Sequence, residues 1–290
     1  MDAVTNPGAI ARELGQISDI RDQISAIEVF EEIGSTNELL WERYRAQSPM
    51  PRVAIAKQQT AGRGQWGRTW TSPLGGLYLS MLLPVEIEPQ NAYILTLASV
   101  WGIVDRLNGA GVPVQIKWAN DLLLQGKKLG GIKTETKITE TQTEIQVQSH
   151  QNQTPKATPK ITAAVVGVGI NYSNPVPDVG INLETFWRED SDIAAPFSGD
   201  RLAALVIAGI LTGREKITQN AYQSIIPQYL KHLKNLNELI IYEGHLGQII
   251  GVNEKGELLV KMTAAGSSST IKIPPGQISL GYGQNKNDHQ

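Results

Sequence analysis

The sequence predicts an α+β fold in two unequal parts, and three observations carry that prediction. Up to about residue 237, strand-like runs such as Val53-Ala54-Ile55-Ala56 interleave with stretches of helical period such as residues 91–107. From residue 238 the helical period disappears, and short strands recur between turn signals at the spacing of a small barrel of SH3-like size. Between about 134 and 162 the composition turns to Thr, Gln, Lys and Glu with Pro155 and Pro159. That segment is too polar to bury itself and reads as a long, mobile hairpin insertion, with Ile138, Ile145 and Val147 its only contributions to a core. The expected organisation is an N-terminal extension over 1–24, a main domain over 25–237 that carries the insertion, a small barrel over 238–284 and a frayed tail over 285–290.

Taken in order, residues 9–14 suggest a short helix and Ile27-Glu28-Val29-Phe30 a short alternating strand. Gly34 breaks that strand, and Ser35-Thr36-Asn37-Glu38 opens a helix to about Ala46. Ser35 and Glu38 have the spacing of a capping box, while the same helix N-terminus suits a ligand. Residues 77–83 form the strand after the glycine-rich stretch described below. The helix over 91–107 is expected to stop at Asn108-Gly109, where glycine ends the turn. Residues 114–118 and 121–124 are strands, and Gln125-Gly126 turns the second into Lys127-Lys128-Leu129-Gly130-Gly131. After the insertion, residues 163–171 resume as an apolar strand whose Gly167 and Gly169 suggest close backbone approach. Two helices follow, over 201–211 and over 217–236, the second interrupted at Pro227.

Composition removes several kinds of chemistry. The 290 residues contain no cysteine, so disulfides, thiolate nucleophiles and thiolate-bound zinc are excluded. The four histidines, His150, His232, His245 and His289, are scattered, and no metal ligands are predicted. A net charge of −2 without a basic tail gives no general attraction to nucleic acid. No apolar run approaches membrane-spanning length and no signal peptide opens the chain, so a cytoplasmic protein is expected.

The chain is organised around Gly62-Arg63-Gly64-Gln65-Trp66-Gly67-Arg68-Thr69-Trp70. Glycines let backbone N–H groups approach a ligand, and arginine forks suit phosphate or carboxylate, so the loop is built to hold an anion. Its G-x-G-x-x-G spacing also matches the dinucleotide fingerprint. That fingerprint requires a helix to follow, and here a turn and a second strand follow instead. Three further clusters stand at strand ends or turns. They are Lys117-Trp118-Ala119-Asn120-Asp121, Lys127-Lys128-Leu129-Gly130-Gly131, and Gly167-x-Gly169-x-Asn171.

Together with Ser35-Thr36-Asn37 and Gln59-Thr60-x-Gly62, these motifs resemble the biotin–protein ligases, in family order over about residues 27–280. The resemblance implies a mixed-sheet catalytic domain of the biotin/lipoate ligase type with an SH3-like barrel. It also implies a monofunctional ligase, because too few residues precede the first strand for the repressor domain that some members carry. The implied reaction activates biotin with ATP, accompanied by Mg²⁺, as biotinyl-5′-AMP. Transfer then goes to a lysine of the biotin carboxyl carrier protein of acetyl-CoA carboxylase, with no DNA or membrane partner and a homodimer left open. By carry-over, Lys128, Arg63 and Asp121 are the expected catalytic residues. Ser35, Thr36, Asn37, Gln59, Arg63, Gly64, Gln65, Lys128 and Gly131 are expected at biotin, and Arg63, Arg68, Trp70, Lys117, Asn120 and Asn171 at the nucleotide. A departure from the family lies at Gln65 and Trp66, where the family often has Arg and a basic or small residue. That departure bears on how tightly the adenylate is held. The alternatives are a lipoyl or octanoyl transferase of the same fold and a non-catalytic biotin-binding regulator.

Overall fold

The computed structural model describes residues 6–17, 21–141, 158–189, 197–219, 221–264 and 267–281. Its centre is a seven-stranded mixed sheet of order β1-β2-β3-β7-β6-β5-β4. β1 (Ala26–Ile33) and β2 (Arg52–Gln59) run parallel, with α2 (Thr36–Arg45) as the crossover between them. β3 (Gly76–Ile87), β4 (Gln115–Lys117), β5 (Asp121–Leu124), β6 (Lys127–Thr141) and β7 (Thr158–Asn171) complete the sheet through antiparallel pairs.

The two-residue period of β3 decides what each face of the sheet meets. Leu77, Leu79, Met81 and Leu83 point into the main core, which α1 (Pro7–Ile17), α3 (Ile94–Gly109) and α5 (Gly199–Thr218) cover. Leu82 points the other way and packs with Leu40 of α2, Ala54 and Val165 in a smaller cluster. Ser80, on that second face, is fully buried. The second face carries fewer apolar groups, and the polar cavity described below opens there.

Several elements differ from the sequence expectation. The first helix is longer than residues 9–14, because Ile10 and Leu14 anchor it to the core. The third helix runs through Gly109, and Gly111, at φ 85°, takes the left-handed position after it. Of the segment expected as a mobile polar hairpin from 134, Thr134 to Thr141 pair with Val166 to Thr158, with a register shift between Lys137 and Ile138. Backbone hydrogen bonds hold this ribbon where side chains could not, and Ile138 is half exposed rather than a core residue. Ile145, Val147, His150 and the tail over 285–290 lie outside the described residues. A short helix not expected from the sequence, α4 (Leu183–Glu189), buries Leu183 and Phe186. Residues 217 and 218 end α5, and α6 (Tyr222–His232) continues through Pro227.

The C-terminal strands β8 (Leu239–Tyr242), β9 (His245–Val252), β10 (Leu258–Ala264) and β11 (Ser267–Ile273) form a four-stranded antiparallel sheet of order β11-β10-β9-β8. Among the described residues β8 and β11 do not pair, so the sheet is open rather than a closed barrel. Its inward residues Ile249, Val252, Leu258, Val260 and Ile273 belong to the main core.

Candidate active site

The glycine-rich stretch folds as a tight hairpin on the second face of the sheet. Gln59 bridges Ser72 and Arg63 bridges Thr69, while Gly64 N–H donates to Arg68 O at 2.7 Å and Trp70 N–H to Gly62 O at 3.0 Å. At the tip, Trp66 and Gly67 adopt φ of 57° and 74°. The hairpin and α2 wall a cavity of about 190 Å³ whose floor is the strand backbone of β6 and β7. Gly167 and Gly169 make that floor. A Cβ on Gly167 would lie 2.3 Å from Asn37 Oδ1, and one on Gly169 would lie 2.4 Å from Trp70 Nε1. Close approach, suspected from the sequence, is what these two glycines allow.

Of the site residues expected from the sequence, all but Asn171 line this cavity. They come from α2, β2, the hairpin, the β4–β5 turn and β6, which are far apart in the chain. Arg63 sits at an exposed rim in an ion pair with Glu38 at 3.1 Å. Lys128 Nζ lies 2.9 Å from Asp121 Oδ1 and 5.3 Å from the centre of the Trp70 ring. Lys117 Nζ lies 3.9 Å from Asp121 Oδ2. Burial pushes the Lys117 ammonium down to about 8, with Lys128 and Arg68 adding repulsion and Asp121 opposing them. Among the described residues, the wall carries Arg63, Arg68, Lys117, Lys128 and Lys133 against Asp121 as its only carboxylate. In a chain of net charge −2, such a concentration of cations makes an anion site.

The other end of the cavity is polar and uncharged. Gln59 Oε1 accepts from Thr36 N–H at 2.9 Å and lies 3.1 Å from Thr36 Oγ1, and Gln59 Nε2 donates to Ser72 Oγ. The capping box therefore does not form. The Ser35 side chain makes no capping bond, Glu38 pairs with Arg63 instead, and Gln59 takes the first helical N–H. Ser80 Oγ lies 2.6 Å from both Thr36 Oγ1 and Asn37 Oδ1.

Three of the expected side chains hydrogen-bond within the protein. Gln65 Nε2 and Asn120 Nδ2 both donate to Ile132 O, so they tie the hairpin and the β4–β5 turn to β6. Asn171 Nδ2 donates to Lys128 O and Ile181 O, so this buried amide holds the backbone of Lys128 from behind the wall. Trp66 is 62% exposed, and a Cβ on Gly276 would lie 2.7 Å from its ring.

Sequence reasoning missed other parts of the site. Val179 O accepts from Lys128 N–H and Ile181 N–H donates to Lys128 O, clamping that residue on both sides. Pro275, Gly276, Ile278, Ser279 and Leu280 line the cavity from beyond β11. Ser80 and Lys133 also line it, and no motif marks them. Period-two alternation beside Gly167 and Gly131 would have placed Ser80 and Lys133 on the same face.

The fold agrees with comparisons to known proteins. The profile of the Biotin/lipoate A/B protein ligase family matches residues 29–152. The bifunctional ligase/repressor BirA of Escherichia coli is 30% identical over 242 residues, covering 81% of this chain and 69% of that protein. BirA of Bacillus subtilis is 25% identical over 263 residues, covering 86% of this chain and 72% of the relative. Among solved structures, the biotin protein ligase of Aquifex aeolicus in complex with biotin and ATP has the same fold. It aligns with a TM-score of 0.60 and 22% identity, over 86% of this chain and 99% of that one. The chain belongs to the biotin/lipoate A/B protein ligase family, and the expectation of a biotin–protein ligase relative is borne out.

Proposed function

We propose that this ligase-family chain activates biotin with ATP and transfers it to a protein lysine. The observation that carries the reading is one cavity with a cationic wall and, at its other end, the uncharged polar side chains of Thr36, Asn37, Gln59 and Ser80. A small acid with a polar head fits such a site when its carboxylate must meet a phosphate.

In the first step a carboxylate oxygen of biotin attacks the α-phosphorus of ATP. The bond to the pyrophosphate oxygen breaks, and biotinyl-5′-AMP forms. Two anions must come together, so fixed positive charge that strengthens with the developing charge lowers the barrier. Lys128 is the central catalytic residue in this reading, with Arg63, Arg68 and Lys117 on the phosphates and Trp70 beneath the Lys128 ammonium. In the second step an acceptor lysine amine attacks the acyl carbon and AMP leaves. Asp121, which bridges Lys128 and Lys117, is the group placed to orient that amine and take its proton.

Magnesium fits only as the counter-ion of ATP. Among the described residues no three His, Asp or Glu side chains gather, and Asp121 is already engaged by two lysines. The triphosphate itself would hold the ion, which neutralises phosphate charge when bound. The acceptor in this reading is the biotin carboxyl carrier protein of acetyl-CoA carboxylase, met in the cytoplasm. The open C-terminal sheet is taken as the counterpart of an SH3-like barrel.

The test is incubation with ATP, magnesium chloride and a carrier domain plus biotin, lipoic acid or octanoic acid, followed by mass measurement of the carrier. One biotinyl group added, with ATP required, is the expected result. No addition from biotin, or preferential addition of lipoyl or octanoyl groups, would overturn the reading.

A further inference from the structure

Lys128 stands on the wrong face of its strand for a regular ladder. Lys133 and Gly131 of β6 line the cavity. A period of two continued from them would put Leu129 in the cavity and turn Lys128 to the other face. The opposite is found, with Leu129 fully buried in the main core and Lys128 lining the cavity. A β-bulge makes the exchange. Leu122 and Leu123 of β5 stand opposite Gly130 and Lys128, so Leu129 is the extra residue.

The bulge also leaves the Lys128 backbone beyond the ladder with β7, whose final pair with β6 is Ile170 with Gly130. Lys128 N–H donates instead to Val179 O at 2.8 Å, and Lys128 O accepts from Ile181 N–H at 3.0 Å, both in the loop after β7. Three buried asparagines, Asn171, Asn174 and Asn182, tie that loop. Lys128 O and Ile181 O can only accept, so Asn171 faces them with its NH₂, at 3.4 and 3.3 Å. Asn171 Oδ1 then accepts from Asn174 Nδ2 at 3.0 Å, and the same nitrogen donates to Pro175 O at 3.1 Å. Asn174 Oδ1 is left to accept Tyr172 N–H at 3.2 Å, a group that can only donate. Carbonyls at one end and an N–H at the other thus fix both amides in one orientation. From the far side, Asn182 Nδ2 donates to Asn174 O at 2.9 Å, and Asn182 Oδ1 accepts Thr185 N–H in α4.

We infer that Asn174 is a positioning residue for the adenylation step. Acting through Asn171 and the loop it ties, it holds the bulge that turns the Lys128 ammonium into the cavity. The inference rests on the reading above, in which that ammonium stands where carboxylate and α-phosphate meet. Asn174 is not among the residues that line the cavity, so replacing it takes no contact away from a ligand. Without its NH₂, Asn171 is free to turn over and set an oxygen against Lys128 O.

Initial rates of biotin- and ATP-dependent pyrophosphate release test this. They give kcat and KM for the wild type, Asn174→Ala, Lys128→Ala and the double variant, with Tm recorded for each. Asn174→Ala should lose about tenfold in kcat, a fraction of the 100-fold that a full ångström of misplacement costs. KM for biotin and for ATP should stay within about twofold, because the interaction weakened is the one that grows in the transition state. Lys128→Ala removes the group that Asn174 serves, so the double variant should be no slower than Lys128→Ala. A residue that only stabilised the fold would slow both backgrounds by the same factor.

Near wild-type kcat in folded Asn174→Ala overturns the inference, as does the same loss repeated on the Lys128→Ala background. If Asn174→Ala does not fold, Asn171→Leu decides. It takes the NH₂ from Lys128 O and leaves Asn174 bonded to Tyr172 and Pro175. An unchanged kcat there, or a loss repeated on Lys128→Ala, overturns the inference alone. Equal rates in the wild type and Lys128→Ala would overturn it and leave the proposed reaction standing. No biotin-dependent release by the wild type would sink the proposed function, and the inference with it.

Discussion

Two lysines share Asp121, and they do so from different depths. Lys128 is partly open and stands over Trp70, whereas Lys117 is buried. In the proposed reaction, removing the Lys128 ammonium by Lys128→Ala takes away a preorganised charge from the place where carboxylate and phosphate would meet. The expected cost is about 3 kcal/mol of transition-state stabilisation, or about 100-fold in adenylation, with the fold retained. ATP-dependent pyrophosphate release from the folded variant measures it, and near wild-type release would remove Lys128 from the role. Lys117 makes a pH prediction. Its pKa lies near 8, so the side chain is positive below that pH and neutral above it. The free protein should therefore lose kcat/KM for ATP as pH rises through about 8. Lys117→Arg keeps its charge and should lack that limb. A profile unchanged by the substitution would assign the limb to another group.

At the scale of elements, the site depends on a hairpin lying against strand backbone. Gly169→Ala puts a methyl group where Trp70 now sits, with Nε1 2.4 Å from the new Cβ. The ring must shift by about an ångström, and if this wall is catalytic as proposed, misplacement of that size costs about 100-fold. Adenylation of Gly169→Ala should fall accordingly while circular dichroism stays that of the wild type. The β6–β7 ribbon makes a contrasting prediction. Pairs from Thr134 to Thr141 hold Glu135 beside the cavity residue Asn37, so a deletion confined to 142–157 and closed by a short turn should leave activity within a few fold. A deletion that reaches Glu135 should abolish it. Carrier biotinylation by the two deletion proteins, compared with wild type, checks both halves.

Across the whole molecule, the C-terminal sheet is joined to the site rather than appended to it. Trp118, in the β4–β5 turn beside Lys117, donates its indole N–H to Gly256 O at 2.9 Å, and Gly256 leaves no space for a Cβ against Tyr93. Tyr229 O–H donates to Ala119 O in the same turn. Trp118→Phe leaves the Gly256 carbonyl without its buried donor, at a cost of about 1–3 kcal/mol. For a chain of this size that lowers Tm by about 2–4 °C per kcal/mol. KM for ATP should rise with it, because the turn also carries Lys117 and Asp121. Calorimetry and initial rates measure the two effects, and a variant with unchanged Tm would show that the indole bond does not hold the turn.

Whatever depends on local pattern was legible in the chain of residues. Period-two and period-3.6 runs placed the strands and most helices, and Gln125-Gly126 placed the hairpin turn between β5 and β6, with φ of 51° and 76° as such a turn requires. The glycine-rich loop was legible as a turn into a second strand because no helical period follows it. Motif order singled out the expected site residues, and all but Asn171 line one cavity. Tertiary structure decided what depends on which faces meet. Polar residues 134–141 lack the pattern of a buried strand, but ladder hydrogen bonds to β7 order them, and pairing is not written in composition. Asn171 carries a motif amide, yet its neighbours turn it to the Lys128 carbonyl behind the wall. Ser35 and Glu38 have capping spacing, but a glutamine 23 residues downstream of Thr36 takes the helical N–H first. Glu135 has no signal at all in the chain. Its place behind Asn37 exists only because β6 pairs with β7 under α2, and spatial contact between distant segments is the one quantity a local pattern cannot encode.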